Sequence, residues 1–158
     1  MKTLLIYHTN KQTVRRKCQS LACGDVDVLE ITPRYKKRFL IDSIGDCYRA
    51  FAGRGTRVLP MEIDWSEYTD VTVIATLNGG RPTPECNEFF FQNDLGGRKV
   101  NCIIVSNRQN AGRAGTLLRR RIRLAGGDSS SVTYMNEHLF CADGAEREIV
   151  HAAAAAKA

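Results

Sequence analysis

Short apolar runs alternate along this chain with longer stretches in which apolar residues recur every three or four positions. Leu4–Tyr7, Val71–Ala75 and Val100–Val105 are apolar or β-branched runs, the pattern of strands buried on both faces. Val26–Ile31 alternates with period two and reads as a less buried strand closed by Pro33, and Ser131–Met135 supplies a fifth. Between them, Thr13–Ala22, Lys37–Ala52, Pro84–Gln92, Ala111–Leu124 and Ala142–Lys157 have helical spacing or composition. Phe39, Leu40, Ile44, Cys47, Tyr48 and Phe51 form the apolar stripe of the second helix despite Gly45, and Leu117, Leu118 and Ile122 that of the fourth. Asp64 is placed to cap a short helical turn before the third strand. Gly53-Arg54-Gly55, Gly96-Gly97 and Gly126-Gly127 fall where elements end.

Five strands alternating with helices predict a single α/β domain over residues 1–158, a three-layer αβα fold around a five-stranded parallel sheet. Right-handed crossovers leave few topologies, and the order 2-1-3-4-5 is among the commonest. Such sheets bind ligands outside the carboxyl ends of their strands. The stretch Val71–Phe90 matters most on this account, because it runs from a strand through a glycine-bearing turn into a helix opened by Pro82 and Pro84.

Hydrophobic residues at 43% and charged residues at 25% exclude a disordered chain, and no apolar run reaches the length of a membrane span. The apolar run after Met1-Lys2-Thr3 is too short for a secretion signal, so it reads as a buried strand and the protein as cytoplasmic. Cys18, Cys23, Cys47, Cys86, Cys102 and Cys141 are scattered, with no CxxC pair and no Cys/His cluster to hold zinc. They read as free thiols of a reducing compartment, Cys102 packing as a small hydrophobe. His8, His138 and His151 show no triad or metal spacing and receive no role. The net charge of +6 concentrates in Arg15-Arg16-Lys17, Arg34–Arg38 and Arg119–Arg123. No aromatic interleaves the last cluster to stack bases, which argues against nucleic acid; an acidic protein partner suits the basic surface better.

Several segments, taken in order, carry a family resemblance. Leu4–Tyr7 with its hydroxyl-rich turn resembles the first strand and phosphate loop of the flavodoxin family. Ile44–Gly55, Pro60, Asp64–Asp70, Gly80–Pro84 and Asp94–Val100 are similar to a bacterial, short-chain flavodoxin-like subfamily. The resemblance implies a flavodoxin-like fold, FMN as cofactor and three binding loops. Thr9, Asn10, Lys11, Gln12 and Thr13 would offer hydroxyl and backbone N–H donors to a phosphate monoester at a helix start. Thr76, Leu77, Asn78, Gly79 and Gly80 would lie against the isoalloxazine, and Ser106, Asn107, Arg108 and Gly112 would meet its pyrimidine edge.

Two departures stand out. Lys11 falls where the family has glycine, in a loop one residue shorter, and Asn78 stands where many members stack an aromatic ring. If Arg81 and Arg108 face the flavin, they raise its reduction potential, since a unit charge about 6 Å away contributes on the order of 3 kcal/mol at an effective dielectric of about 20. The leading expectation is an FMN-binding electron-transfer protein that works with a redox partner, and no protein side chain need be catalytic. The alternatives are a flavodoxin-fold module without FMN, acting in regulation or interaction, and an FMN-dependent NAD(P)H or quinone reductase.

Overall fold

The computed structural model describes residues 2–35, 41–107, 113–147 and 149. Its elements in chain order are β1 (Lys2–His8), α1 (Gln12–Ser20), β2 (Val26–Glu30), α2 (Ile41–Phe51), a 3-10 turn (Trp65–Glu67), β3 (Tyr68–Asn78), β4 (Arg81–Pro82), α3 (Pro84–Gln92), β5 (Lys99–Val105), α4 (Ala114–Leu124), β6 (Asp128–Met135) and α5 (Glu137–Cys141). The long strands lie in the order β2-β1-β3-β5-β6, all parallel, which is the expected 2-1-3-4-5 arrangement. The short β4 folds back antiparallel on the end of β3.

Alternation along the central strands builds two cores. Leu4 and Ile6 of β1, Val71, Val73 and Ala75 of β3, and Val100, Cys102 and Ile104 of β5 pack with Phe89 and Phe90 of α3 and Leu118 and Ile122 of α4. The intervening Leu5, Tyr7, Ile74, Ile103 and Val105 pack on the other face with Val14 and Cys18 of α1 and Phe140 of α5. A one-residue slip of any of these strands would exchange the two cores, so burial on both faces fixes the register.

Most elements begin and end close to where the sequence puts them. Asp64 caps the 3-10 turn, its Oδ1 accepting from Ser66 N at 3.0 Å. Thr83 caps α3, with Pro84 in the first helical position. Three differences have physical causes. The third strand runs to Asn78 rather than Ala75, because the β4 hairpin supplies pairing partners for Leu77 and Asn78. A short helix, α5, precedes the expected last one: Asn136 caps it by accepting from His138 N, it ends at Cys141, and the chain turns at Gly144 before the helical Glu146, Arg147 and Ile149; residues 148 and 150–158 lie outside the described residues. The apolar stripe of α2 faces outward. Ile44, Tyr48 and Phe51 are exposed, whereas Asp46 and Ala50 are buried. Its upstream part, 36–40, lies outside the described residues, as do 108–112 before α4.

Some of the basic residues are structural. Arg98 donates to the carbonyl oxygens of Trp65, Tyr68 and Leu95 (2.8, 3.2 and 3.1 Å), tying the 3-10 turn to the entry of β5. Arg121 sits 4.4 Å over the Phe91 ring and donates to Gly53 O, with its pKa lowered chiefly by burial.

Gly127 marks a close approach between α4 and the start of β6. A Cβ there would lie 2.8 Å from Leu95 Cδ1 and 3.0 Å from Ile122 Cγ2. Gly127→Ala is expected to cost about 1–3 kcal/mol by overpacking. Gly45→Ala, inside α2 with no atom within 4 Å of the added carbon, should instead stabilise by about 0.5–1 kcal/mol. Urea unfolding of the two variants checks the contrast.

Candidate functional site

α1 follows β1 on one face of the sheet and α3 follows β3 on the other, so a crevice opens between the carboxyl ends of these neighbouring strands. A cavity of about 410 Å³ lies there, a size usual for small-molecule sites. It brings together Thr9, Asn10 and Lys11 from the first loop, Thr76, Leu77, Asn78, Gly79 and Gly80 from the second, and Ser106 and Asn107 from the third. Gln12 and Thr13 lie in the first turn of α1 and do not line it. Arg108 and Gly112 fall outside the described residues. Val14, Asp46, Thr83, Pro84, Glu85, Val105 and Glu137 complete the wall.

The first loop is held from behind. Thr9 Oγ1 accepts from Lys11 N at 3.1 Å, and Arg15 donates to Thr9 O at 3.1 Å and to Glu30 Oε1 at 2.8 Å. Tyr7 donates to Glu30 Oε2 at 3.1 Å; burial, then the Glu30 carboxylate, pushes its pKa up to about 12. Lys11 occupies the N-cap of α1 in an extended conformation, and its side chain does not cap the helix. The first intrahelical bond runs from Arg15 N to Lys11 O, which leaves the N–H groups of the preceding turn directed outward. This nine-residue helix start can hold an anion without a glycine. The Lys11 ammonium, however, is paired with Glu137 at the head of α5.

The second loop is a β-hairpin. Asn78 pairs with Arg81 across Gly79 and Gly80, whose φ values of 59° and 78° make a turn that side-chain-bearing residues resist. The two glycines thus serve the turn itself as well as the cavity rim. Asn78 Oδ1 accepts from the Cys47 thiol of α2 at 3.1 Å, and Thr76 Oγ1 donates to His8 O at 2.8 Å, joining β3 to the end of β1.

Of the two arginines expected to face a flavin, Arg108 lies outside the described residues and Arg81 does not line the cavity. Arg81 turns away from the cavity, donating to Phe51 O at 2.6 Å with its guanidinium 4.1 Å from the Phe51 ring centre. Among the described lining residues the charged groups are Lys11 against Asp46, Glu85 and Glu137. The sequence could not show this, because Asp46 and Glu137 reach the cavity from helices distant in the chain. His8, given no role from sequence, is buried at the end of β1, 3.4 Å from Glu85. Thr83-Pro84-Glu85 carried a readable signal, as a capped helix start directly after the second loop.

Measured against this geometry, FMN fits in its phosphate and edge contacts: an uncapped helix start with hydroxyl neighbours, and a polar third loop. No aromatic side chain lines the cavity among the described residues.

No family model matches the sequence, and no curated protein matches it. Solved structures do resemble it. A flavoprotein of Lactobacillus acidophilus NCFM, solved in complex with FMN, is 13% identical with a TM-score of 0.71, covering 84% of this chain and 92% of that one. A candidate flavoprotein of Bacteroides uniformis is 16% identical with a TM-score of 0.70, covering 94% and 97%. General stress protein 14 of Treponema denticola, also in complex with FMN, is 11% identical with a TM-score of 0.52, covering 99% and 96%. The class these likenesses define is the flavodoxin-like α/β fold, and the chain has that fold over nearly its full length.

No described helix is long and apolar enough to cross a membrane. All six cysteines are free thiols, and burial raises the pKa of Cys18 and Cys86 to about 12. Tyr7 and Tyr68 both stand at about 12 against an ordinary 10. A raised folded-state pKa stabilises the fold below the unfolded value and is lost above it. Stability should therefore decline as pH rises from about 9, where the thiols ionise in the unfolded chain, towards about 12, as followed by chemical denaturation, and the two phenols of the folded protein should ionise only at the top of that range. Ionisation of both at the ordinary tyrosine value in the folded protein would contradict the buried network.

Proposed function

We propose that this protein binds FMN in the cavity between β1 and β3 and carries electrons. The carrying observation is convergence: the uncapped start of α1, the β3–β4 hairpin and the β5 loop wall one cavity at the point where strand order reverses. The FMN complexes of two structural neighbours support the reading. FMN supplies the redox chemistry when bound, while the chain binds it and sets its potential. Thr9, Asn10, Lys11 and the first turn of α1 would hold the phosphate. Asn78–Gly80 would face the ring by backbone and amide contact in place of stacking, and Ser106 and Asn107 would meet its polar edge.

The described carboxyl groups reverse the direction of tuning expected from sequence. Negative charge beside the ring disfavours its anionic reduced form, so the bound flavin should have a potential at or below that of free FMN. An acidic redox protein is the partner this reading requires. Ile44, Tyr48 and Phe51 offer it an apolar ridge beside the cavity, flanked by the exposed Arg49 and Arg54. Free thiols suit the reducing cytoplasm, where we place the protein.

One observation favours a second reading, a flavodoxin-fold interaction module without FMN. The Lys11–Glu137 pair and the Arg15–Thr9 bond satisfy the first loop with no ligand present. A reductase acting on NAD(P)H draws less support, since Arg121, central to the Arg119–Arg123 cluster, is spent on Phe91 and Gly53.

Titration with FMN separates the readings. Saturable fluorescence quenching with thermal stabilisation is expected, because a ligand that binds only the folded state stabilises it. Lys11→Ala should weaken binding by about tenfold, the scale of one charge-assisted hydrogen bond, and Glu137→Gln, which frees Lys11, should tighten it. Neither quenching nor stabilisation at saturating FMN would establish the interaction module instead. A potential well above that of free FMN in the bound state would contradict the electrostatic account.

A further inference from the structure

A second cavity, of about 500 Å³, opens where the loop after α2 meets the loop after β2 and α3. Its volume is ordinary for a small-molecule site. Tyr35, Arg49, Gly55, Thr56, Arg57 and Glu88 line it, and none of them lines the cavity between β1 and β3.

Hydrogen bonds fix the segments that build this wall. Arg34 N donates to Arg57 O at 2.9 Å and Leu59 N to Thr32 O at 2.9 Å, with Pro33 bridged to Val58. The stretch ending at Tyr35 and the stretch holding Arg57 are therefore a short antiparallel pair. Arg54 N donates to Arg49 O at 2.7 Å at the end of α2, and Asn87 Nδ2 of α3 donates to Arg54 O at 3.2 Å. Gly55 has a packing reason: a Cβ there would lie 3.0 Å from Cδ and 3.1 Å from Cβ of Glu88. The missing side chain lets Glu88 lie against the loop, while its Oε1 accepts from Gln92 Nε2 at 2.7 Å.

The wall carries both signs of charge. Among the described residues no hydrogen bond or ion pair engages the Arg57 guanidinium. Arg49 Nη1 stands 3.7 Å from Asp46 Oδ1, beyond hydrogen-bond reach. Both guanidinium forks can therefore receive an anion, and Thr56 adds a hydroxyl. A bare anion would also meet the Glu88 carboxylate, and a bare cation would meet the two arginines. A ligand that joins an anionic group to hydroxyl or amine donors satisfies both. The Tyr35 ring, 61% exposed, offers such a ligand a flat face.

We propose that this second cavity binds a nucleoside phosphate. The phosphate suits the Arg49 and Arg57 forks, the base suits the face of Tyr35, and ribose hydroxyls suit Glu88 as acceptor. The site is separate from the one proposed for FMN and does not depend on it.

Amide chemical-shift mapping of the full chain with AMP, adenosine and inorganic phosphate in turn tests this. AMP should give saturable shifts at Gly55, Thr56 and Arg57, and added salt should weaken them, because the charges are open to solvent. Adenosine and inorganic phosphate should each bind at least about tenfold more weakly, since one lacks the charge-assisted contacts and the other the stacked ring. Arg57→Ala and Tyr35→Ala should each weaken AMP binding by about tenfold for the same reasons. AMP shifts that are absent at Gly55–Arg57, or confined to Lys11–Val14 beside the first cavity, overturn the proposal. So does inorganic phosphate binding as tightly as AMP, which marks a plain anion site, or adenosine doing so, which leaves the arginines without a role. Variants that fold and bind AMP as wild type does overturn it too. If a variant does not fold, the comparison of the three ligands on wild type decides alone.

Discussion

β1 must be bonded on both edges and buried on both faces, while the chain leaves its carboxyl end in one direction and leaves that of β3 in the other. The central strands have no freedom to slip, because each shift of one residue would send Leu4 and Ile6 to the core of Leu5 and Tyr7. The fork between the two exits is left open by topology, and the loops that border it inherit polar backbone with no ladder to join. The Thr76–His8 hydrogen bond closes the floor of this fork and holds the two strand ends together. Everything proposed for the site depends on that fixed separation.

A second layer of constraint comes from charge. The protein is basic as a whole, yet several of its arginines serve as braces: Arg98 across three carbonyl oxygens, Arg121 between Phe91 and Gly53, Arg81 on Phe51, Arg15 behind the first loop. Among the described residues, the charged ones at the cavity are Lys11, Asp46, Glu85 and Glu137. Net charge therefore misleads about the local field, since a guanidinium bonded to backbone carbonyls is positioned by them and not by a ligand.

Much of this was legible in the sequence, for identifiable reasons. Continuous apolar runs announced the central strands, and Thr83 with Pro84 announced a helix start, because these signals are local. The three loops were found because each follows a strand whose carboxyl end could be located. What escaped depends on contacts between distant segments. Asp46 is buried and Ile44 exposed because α2 packs through its polar and small face, which a helical stripe cannot reveal. Glu137 meets Lys11 across most of the chain length, and His8 finds Glu85 only once β1 lies against α3. The glycines of the second loop were assigned to close approach of a flat ring, whereas the hairpin itself demands their positive φ.

The central claim is that one cavity takes FMN with its phosphate at the start of α1. Amide chemical-shift mapping with FMN and, separately, with riboflavin tests it most directly. The account predicts that both ligands perturb the amides of Asn78–Gly80, Ser106 and Asn107, and that FMN alone perturbs those of Lys11–Val14. Shifts from FMN that miss the first turn of α1, or that map to another face of the sheet, would contradict it.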